Sequence, residues 1–95
     1  MIVQRNVYKA KWGCGDRLVA MVKEKGARLG RAARNRIYTP HTGPWPTVVV
    51  DLEFESEDER EKFFAELAAS PEHRAWLEKM GELVESVDIQ LLTLV

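Results

Sequence analysis

The sequence contains two histidines and one cysteine, the residue types most often used for proton transfer or nucleophilic attack near neutral pH. His41 lies in a proline-rich segment and is a candidate general base held in an ordered loop. His73 is expected to be exposed in the first turn of a helix. Cys14 stands between two glycines at a predicted helix start and is a candidate reactive thiol. Because the spacing of a metal site, a phosphate loop or a nucleophile motif is absent from the sequence, neither a metal nor a cofactor is expected.

A second group of side chains could line a ligand pocket, which needs apolar walls and a few polar groups. The candidates are Asn6, Tyr8, Tyr38, His41, Trp45, Trp76 and Met80. Asn6, Tyr38 and His41 are also the candidates for a catalytic role. Trp76 and Met80 fit the apolar stripe of a helix, so packing in the core is the alternative explanation for both.

The chain that must position these residues has 95 residues, enough for one domain spanning 1–95. With 45% hydrophobic and 31% charged residues, the chain is expected to fold rather than to remain disordered. It contains neither a long apolar run nor an apolar leader, and its one cysteine cannot form an internal disulfide. We therefore expect a cytoplasmic protein that does not cross a membrane.

The order of predicted elements is β-α-β-β-α-β. The predicted elements are strand 2–12, helix 16–29, strand 33–39, strand 47–55, helix 56–85 and strand 87–95. Asp16 is the expected N-cap of the first helix, and Ser70-Pro71 should break the second. Right-handed crossovers make this a ferredoxin-like α+β sandwich, with a four-stranded antiparallel sheet and both helices on one face.

The other face of such a sheet has no helix over it, and its side chains are charged and apolar. The residues predicted to lie there are Arg5, Arg36, Val49, Asp51, Glu53, Leu92 and Leu94. Monomers rarely leave such patches exposed, so we expect a homodimer with the two sheets face to face. Because Gln4, Arg5 and Asn6 put polar groups on both faces of the first strand, a network at the dimer interface or a ligand must satisfy them.

RNA-recognition domains share this topology, but nucleic acid is not an expected partner. Those domains stack bases on aromatic residues of the third strand. Here that strand carries Val49, Asp51 and Glu53, and its carboxylates would repel phosphate. The basic first half of the chain and the acidic second half are expected to attract each other within one fold or across a dimer.

Four segments of the sequence have a familiar pattern: residues 3–11 with the following glycine turn, Gly43-Pro44 with residues 48–56, residues 70–76, and residues 83–86. Together they resemble the NIPSNAP-like members of the dimeric α/β-barrel superfamily. The resemblance implies a dimer whose two sheets form a barrel. The superfamily also includes antibiotic-biosynthesis monooxygenases and haem-degrading enzymes. Asn6, Trp76 and His73 match the residue types of the haem-degrading site, but the third strand lacks a tryptophan, which argues against haem.

Three functions remain open from the sequence. The first is an uncharacterised NIPSNAP-like homodimer that binds a small apolar or aromatic molecule. The second is a cofactor-independent monooxygenase of the antibiotic-biosynthesis type, which would orient and deprotonate a phenol or quinol that itself reduces O₂. The third is a structural or regulatory interaction protein whose interior is filled with side chains. A cavity of about 300 Å³ or more would favour an enzyme.

Overall fold

The computed structural model describes residues 1–29, 34–40 and 46–95, and it has the element order expected from the sequence. The elements are β1 (Ile2–Ala10), α1 (Gly15–Leu29), β2 (Arg34–Tyr38), β3 (Thr47–Phe54), α2 (Glu57–Ala68), α3 (Pro71–Leu83) and β4 (Val84–Thr93). The four strands form one antiparallel sheet in the order β2-β3-β1-β4. The ferredoxin-like prediction is confirmed, and the first and third strands lie in the middle of the sheet.

The register of β1 against β3 assigns alternate side chains to the two faces of the sheet. Tyr8 pairs with Val48 and Gln4 pairs with Leu52, and all four of these side chains are buried beneath the helices. One part of the core joins Tyr8 and Val48 to residues of α1 and α3, and a second joins Leu52 to aromatic side chains of α2. The even-numbered positions of β1 therefore face the helices.

The turn between β1 and α1 needs a glycine. Gly13 has φ of 77°, a conformation that costs other L-residues about 1–2 kcal/mol. The turn begins sooner than predicted, so Trp12 lies outside the strand and is 96% exposed. Helix α1 begins at Gly15, because Leu18 N–H already donates to the Cys14 carbonyl, and Asp16 lies inside the first turn rather than at the N-cap.

One serine caps the N-terminus of α2 and another caps that of α3, where the sequence predicts the break. The Ser56 hydroxyl accepts from Glu59 N–H at 3.2 Å, and the Ser70 hydroxyl accepts from His73 N–H at 3.3 Å. Pro71 begins α3, where its missing N–H removes no helical hydrogen bond.

Strand β4 begins three residues earlier than predicted. Val84 already has extended backbone angles, and Lys11 N–H donates to the Leu83 carbonyl, which ends α3 at the sheet. The pairing shifts between Lys9 and Ala10, so that Ala10 pairs with Val84. The prediction continued the helix to residue 85 because Leu83 and Val84 fit its apolar spacing, and both residues do pack against the core.

The open face of the sheet is defined here by the odd-numbered positions of β1 and their neighbours. Register places six of the seven predicted interface residues on it: Arg5, Arg36, Val49, Asp51, Glu53 and Leu92. Leu94, the seventh, lies beyond the last residue of β4. Asp51 is 6% exposed because Arg5 covers it with two hydrogen bonds, of 2.8 and 2.9 Å.

Candidate functional site

Two spaces that share part of their lining lie between the sheet and the helices. The inner cavity has a volume of about 110 Å³ and is walled mainly by apolar residues of α1, α2, α3 and the three strands β1 to β3. The β4 groove is a more open space of about 530 Å³ between α3 and β4. Five residues line both spaces and form their shared wall: Asn6, Tyr8, Phe64, His73 and Leu77.

A row of polar side chains on β1 enters this wall from the sheet. Arg60 Nη1 donates to Gln4 Oε1, Gln4 Nε2 donates to Asn6 Oδ1, and Asn6 Nδ2 donates to Tyr8 Oη, each at 3.1 Å. Arg60 is itself held by Glu57. We call Arg60, Gln4, Asn6 and Tyr8 the β1 relay. Every donor in it points the same way, from the guanidinium towards the phenol.

A stack of three side chains from α1 and α3 adjoins this wall on the helical side of the inner cavity. The rings of His73 and Trp76 are nearly parallel, with an interplanar angle of 17° and centroids 5.9 Å apart. Lys25 of α1 places its Nζ 5.3 Å from the centroid of the Trp76 ring. His73 Nδ1 is buried and has no hydrogen-bond partner. A buried polar atom without a partner costs about 1–3 kcal/mol, which a bound ligand could recover.

Burial sets the protonation of these groups. It lowers the pKa of His73, with the Lys25 charge as the second cause, so the neutral imidazole is favoured. It lowers the pKa of Lys25, which Arg28 also lowers and Glu72 raises. It raises the pKa of Tyr8, partly opposed by the hydrogen bond from Asn6, so the phenol keeps its proton. The site therefore offers a phenolic O–H, a neutral imidazole and an ammonium group.

The structure brings together some of the predicted pocket residues and separates others. Asn6, Tyr8 and Trp76 line the inner cavity, and Met80 lines the β4 groove while remaining 8% exposed in the core. Tyr38 pairs with Val49 and lies on the open face, 43% exposed, because the register of β2 turns it away from the helices. The predictions for His41 and Trp45 concern residues outside the described part of the chain.

Sequence reasoning missed the two basic groups of the site. His73 is half-buried rather than exposed, because the cap at Ser70 starts α3 so that His73 and Trp76, three residues apart, share one face. Lys25 interrupts the apolar stripe of α1, and this interruption was the available signal. The polar groups predicted for the first strand are satisfied within one chain, by the β1 relay on one face and the Arg5–Asp51 pair on the other.

Cys14, metal binding and membrane insertion receive less support from the structure. Cys14 is half-buried, and its Sγ lies 3.4 Å from Arg17 Nη2. Within residues 1–29, 34–40 and 46–95, no cluster of three or more His, Cys, Asp or Glu side chains could hold a metal ion. Over the same residues, none of the helices has the length and apolar character needed to cross a membrane.

Comparison with known proteins identifies the family. The NIPSNAP family model matches residues 6–95, and no curated protein matches the sequence. An uncharacterised NIPSNAP domain protein from Burkholderia xenovorans is 21% identical in sequence. Its structure superposes with a TM-score of 0.87, and the superposition covers 100% of this chain and 95% of that one. A NIPSNAP family protein from Agrobacterium tumefaciens strain C58 is 20% identical and superposes with a TM-score of 0.85. The superposition covers 99% of this chain and 92% of that one.

The fold extends beyond these relatives. A putative antibiotic biosynthesis monooxygenase from Deinococcus radiodurans superposes with a TM-score of 0.79 at 9% identity, covering 100% of this chain and 93% of that one. At this identity the likeness concerns the fold alone. Since the family model spans nearly the whole sequence, the chain belongs to the NIPSNAP family.

Proposed function

We propose that this protein binds a small apolar or aromatic organic molecule at the wall shared by the inner cavity and the β4 groove. The observation that carries the proposal is the unpartnered, buried Nδ1 of His73 beside a mostly apolar space. Buried polar atoms are rarely left without a partner, and a ligand hydroxyl or carboxyl group would supply one. The inner cavity alone is below the 300 Å³ expected for a ligand site, whereas the β4 groove exceeds it.

The exposed apolar row of β4 gives further support. Val87 and Ile89 line the groove while 45% and 58% exposed, and Leu77 of α3 faces the same space at 42%. Covering each of these side chains would contribute up to about 1.5–3 kcal/mol. An apolar ligand body lying in the groove would capture part of this free energy.

The test is a titration with 4-ethylphenol, followed by protein NMR and by calorimetry. We expect saturable shifts of the amide signals of Tyr8, His73 and Ile89. Gly81 lines the groove, and a Cβ there would meet nothing within 4 Å, so Gly81→Leu should fold and fill the groove. Gly81→Ala is the matched control. The proposal fails if no saturable shift is seen, or if Gly81→Leu binds as well as the control, and the interaction-protein function is then favoured.

A cofactor-independent monooxygenase is the second candidate, favoured by the neutral His73 imidazole beside Tyr8 in a fold shared with a putative monooxygenase. His73 would accept the hydroxyl proton of a quinol, and the resulting anion would reduce O₂ directly. The test is oxygen uptake with a hydroquinone substrate, comparing wild type with His73→Gln. Oxygen uptake no faster than in buffer alone would exclude this activity.

We also propose that the protein is a cytoplasmic homodimer joined through the open face. Val49 and Leu92 supply apolar area there, and the Arg5 side chain, which stays 40% exposed beside Asp51, presents a guanidinium to a second copy. A free thiol such as Cys14 is compatible with a reducing compartment. Sedimentation should give a particle of twice 10.9 kDa, and a 10.9 kDa particle would refute the dimer.

A further inference from the structure

The geometry points to the charge of the ligand: we propose that the site takes a monocarboxylate, with its carboxylate bound between Tyr8, His73 and Lys25 and its apolar body in the β4 groove. This inference rests on the proposed small-molecule binding and adds the chemical class of the ligand. It has three independent supports: an ammonium group lacking a close anion, a directed chain of hydrogen bonds, and a lining without acidic residues.

Lys25 supplies the positive charge. Its side chain lines the inner cavity, and its Nζ lies over Trp76 rather than beside a carboxylate. Among the described residues, no Asp or Glu oxygen lies within 4.0 Å of this ammonium group, and Glu72 acts on it only from farther away. A charge that is partly shielded from water and lacks a close counter-ion is unfavourable, and an anionic ligand would remove that cost.

The β1 relay ends in a hydrogen-bond donor. Arg60, Gln4 and Asn6 each donate towards the next residue, so the Tyr8 oxygen accepts and its own O–H remains available to the shared wall. Because the first member is a cation, the chain is polarised in the direction that strengthens the last donor. Burial keeps the phenol protonated. The atom best suited to receive this proton is an acceptor oxygen of a ligand.

His73 supplies the third contact. Its Nδ1 is buried without a partner and, when it carries the proton of the neutral imidazole, it is a donor. A carboxylate has two oxygens that only accept, so it can receive from Tyr8 and His73 at once. A neutral alcohol or amide has fewer acceptor positions and adds a donor that these groups cannot satisfy.

The residues that line the two spaces favour a negatively charged ligand, and some of them can pack against its apolar part. The described lining of the inner cavity and of the β4 groove includes Lys25 and Arg60 but neither Asp nor Glu. Next to the carboxylate position the groove is lined by Leu77, Val87 and Ile89, which are exposed apolar side chains. An alkyl or aryl chain attached to the carboxylate would cover them.

The experiment compares octanoate with octanamide by calorimetry at constant ionic strength. These probes have the same apolar chain and differ in charge. We expect wild type to bind octanoate about tenfold more tightly or better, since hydrogen bonds to charged groups contribute about twice as much as neutral ones. Lys25→Met keeps an apolar side chain against Trp76 and should reduce octanoate affinity about tenfold while leaving octanamide affinity unchanged. Lys23→Met, at an exposed position of α1, is the control and should change neither.

Each other outcome has a defined meaning. If octanamide binds as tightly as octanoate, the anionic class is wrong and small-molecule binding stands. If Lys25→Met weakens both probes equally, Lys25 acts through packing and the proposed carboxylate contact is wrong. If neither probe binds and 4-ethylphenol does, the carboxylate is refuted alone. If none of the three binds, both proposals fall.

Discussion

Two helical glycines form a matched pair that tests whether the β4 groove is open in solution. Gly81 lies inside α3, and a Cβ added there meets nothing within 4 Å. Gly26 lies inside α1, where an added Cβ would come within 2.6 Å of Asn35 Oδ1. Both positions have ordinary backbone angles, because positive φ among the described glycines is confined to Gly13. Alanine at the two sites therefore gains the same helix propensity and differs in what it contacts.

The expected free energies follow from these contacts. Replacing a glycine inside a helix by alanine gains about 0.8–1.0 kcal/mol. Gly81→Ala should keep all of this. Gly26→Ala must displace the Asn35 amide, which donates to the Gly26 carbonyl at 3.2 Å, and losing that hydrogen bond costs about 1 kcal/mol. Gly26→Ala should thus be neutral or destabilised, and the two variants should differ by about 1 kcal/mol.

The assay is thermal unfolding by circular dichroism at several protein concentrations. A difference of about 1 kcal/mol corresponds to about 4–8 °C in Tm for a domain of this size. We expect Gly81→Ala to melt above wild type and Gly26→Ala to melt at or below it. If Gly81→Ala is destabilised as much as Gly26→Ala, atoms from a ligand or a second chain occupy the groove, and the reasoning that treats it as open is refuted.

Three further predictions use the same measurement. Tyr8→Phe should cost about 1 kcal/mol, since the half-buried Asn6 Nδ2 loses its hydrogen-bond acceptor, and an unchanged Tm would show that the relay does not end there. Gly13→Ala should cost about 1–2 kcal/mol because of its φ of 77°, and equal stability would contradict the turn geometry. Wild-type stability should fall as pH drops below 6.5: the folded state lowers the pKa of His73, so the unfolded chain binds more protons there. His73→Gln should remove this part of the pH dependence, and an unchanged pH difference would contradict the assignment.

The sequence was sufficient to predict those features of the fold that depend on residues close together in the chain. Ser70-Pro71 combines a cap with a helix start, so the break between α2 and α3 was visible without any tertiary information. The alternation of Val48 and Leu52 with Asp51 likewise identified the buried and open faces of β3. These signals depend on the chain's own periodicity, which tertiary packing did not override.

The site was only partly predictable, because its geometry depends on contacts between elements far apart in sequence. Gln4 and Arg60 are separated by 56 positions, and the pattern of either segment gives no sign that they meet. Lys25 and Trp76 belong to different helices, so their contact depends on how α1 and α3 pack. Tyr38 was misplaced because a one-residue change in the register of β2 would exchange its face.

Because side chains alternate along β1, this one central strand supplies polar groups to both faces of the sheet. Its even positions hold the relay that ends at Tyr8, and its odd positions hold Arg5 on the opposite surface. Deleting one residue near the end of Ile2–Ala10, next to the turn that anchors the strand, would shift the preceding residues by one position and exchange these sets, putting the guanidinium among the helices and the amides outside. Insertions and deletions should therefore be rarer in this strand than in the turns beside it, even among distant homologues.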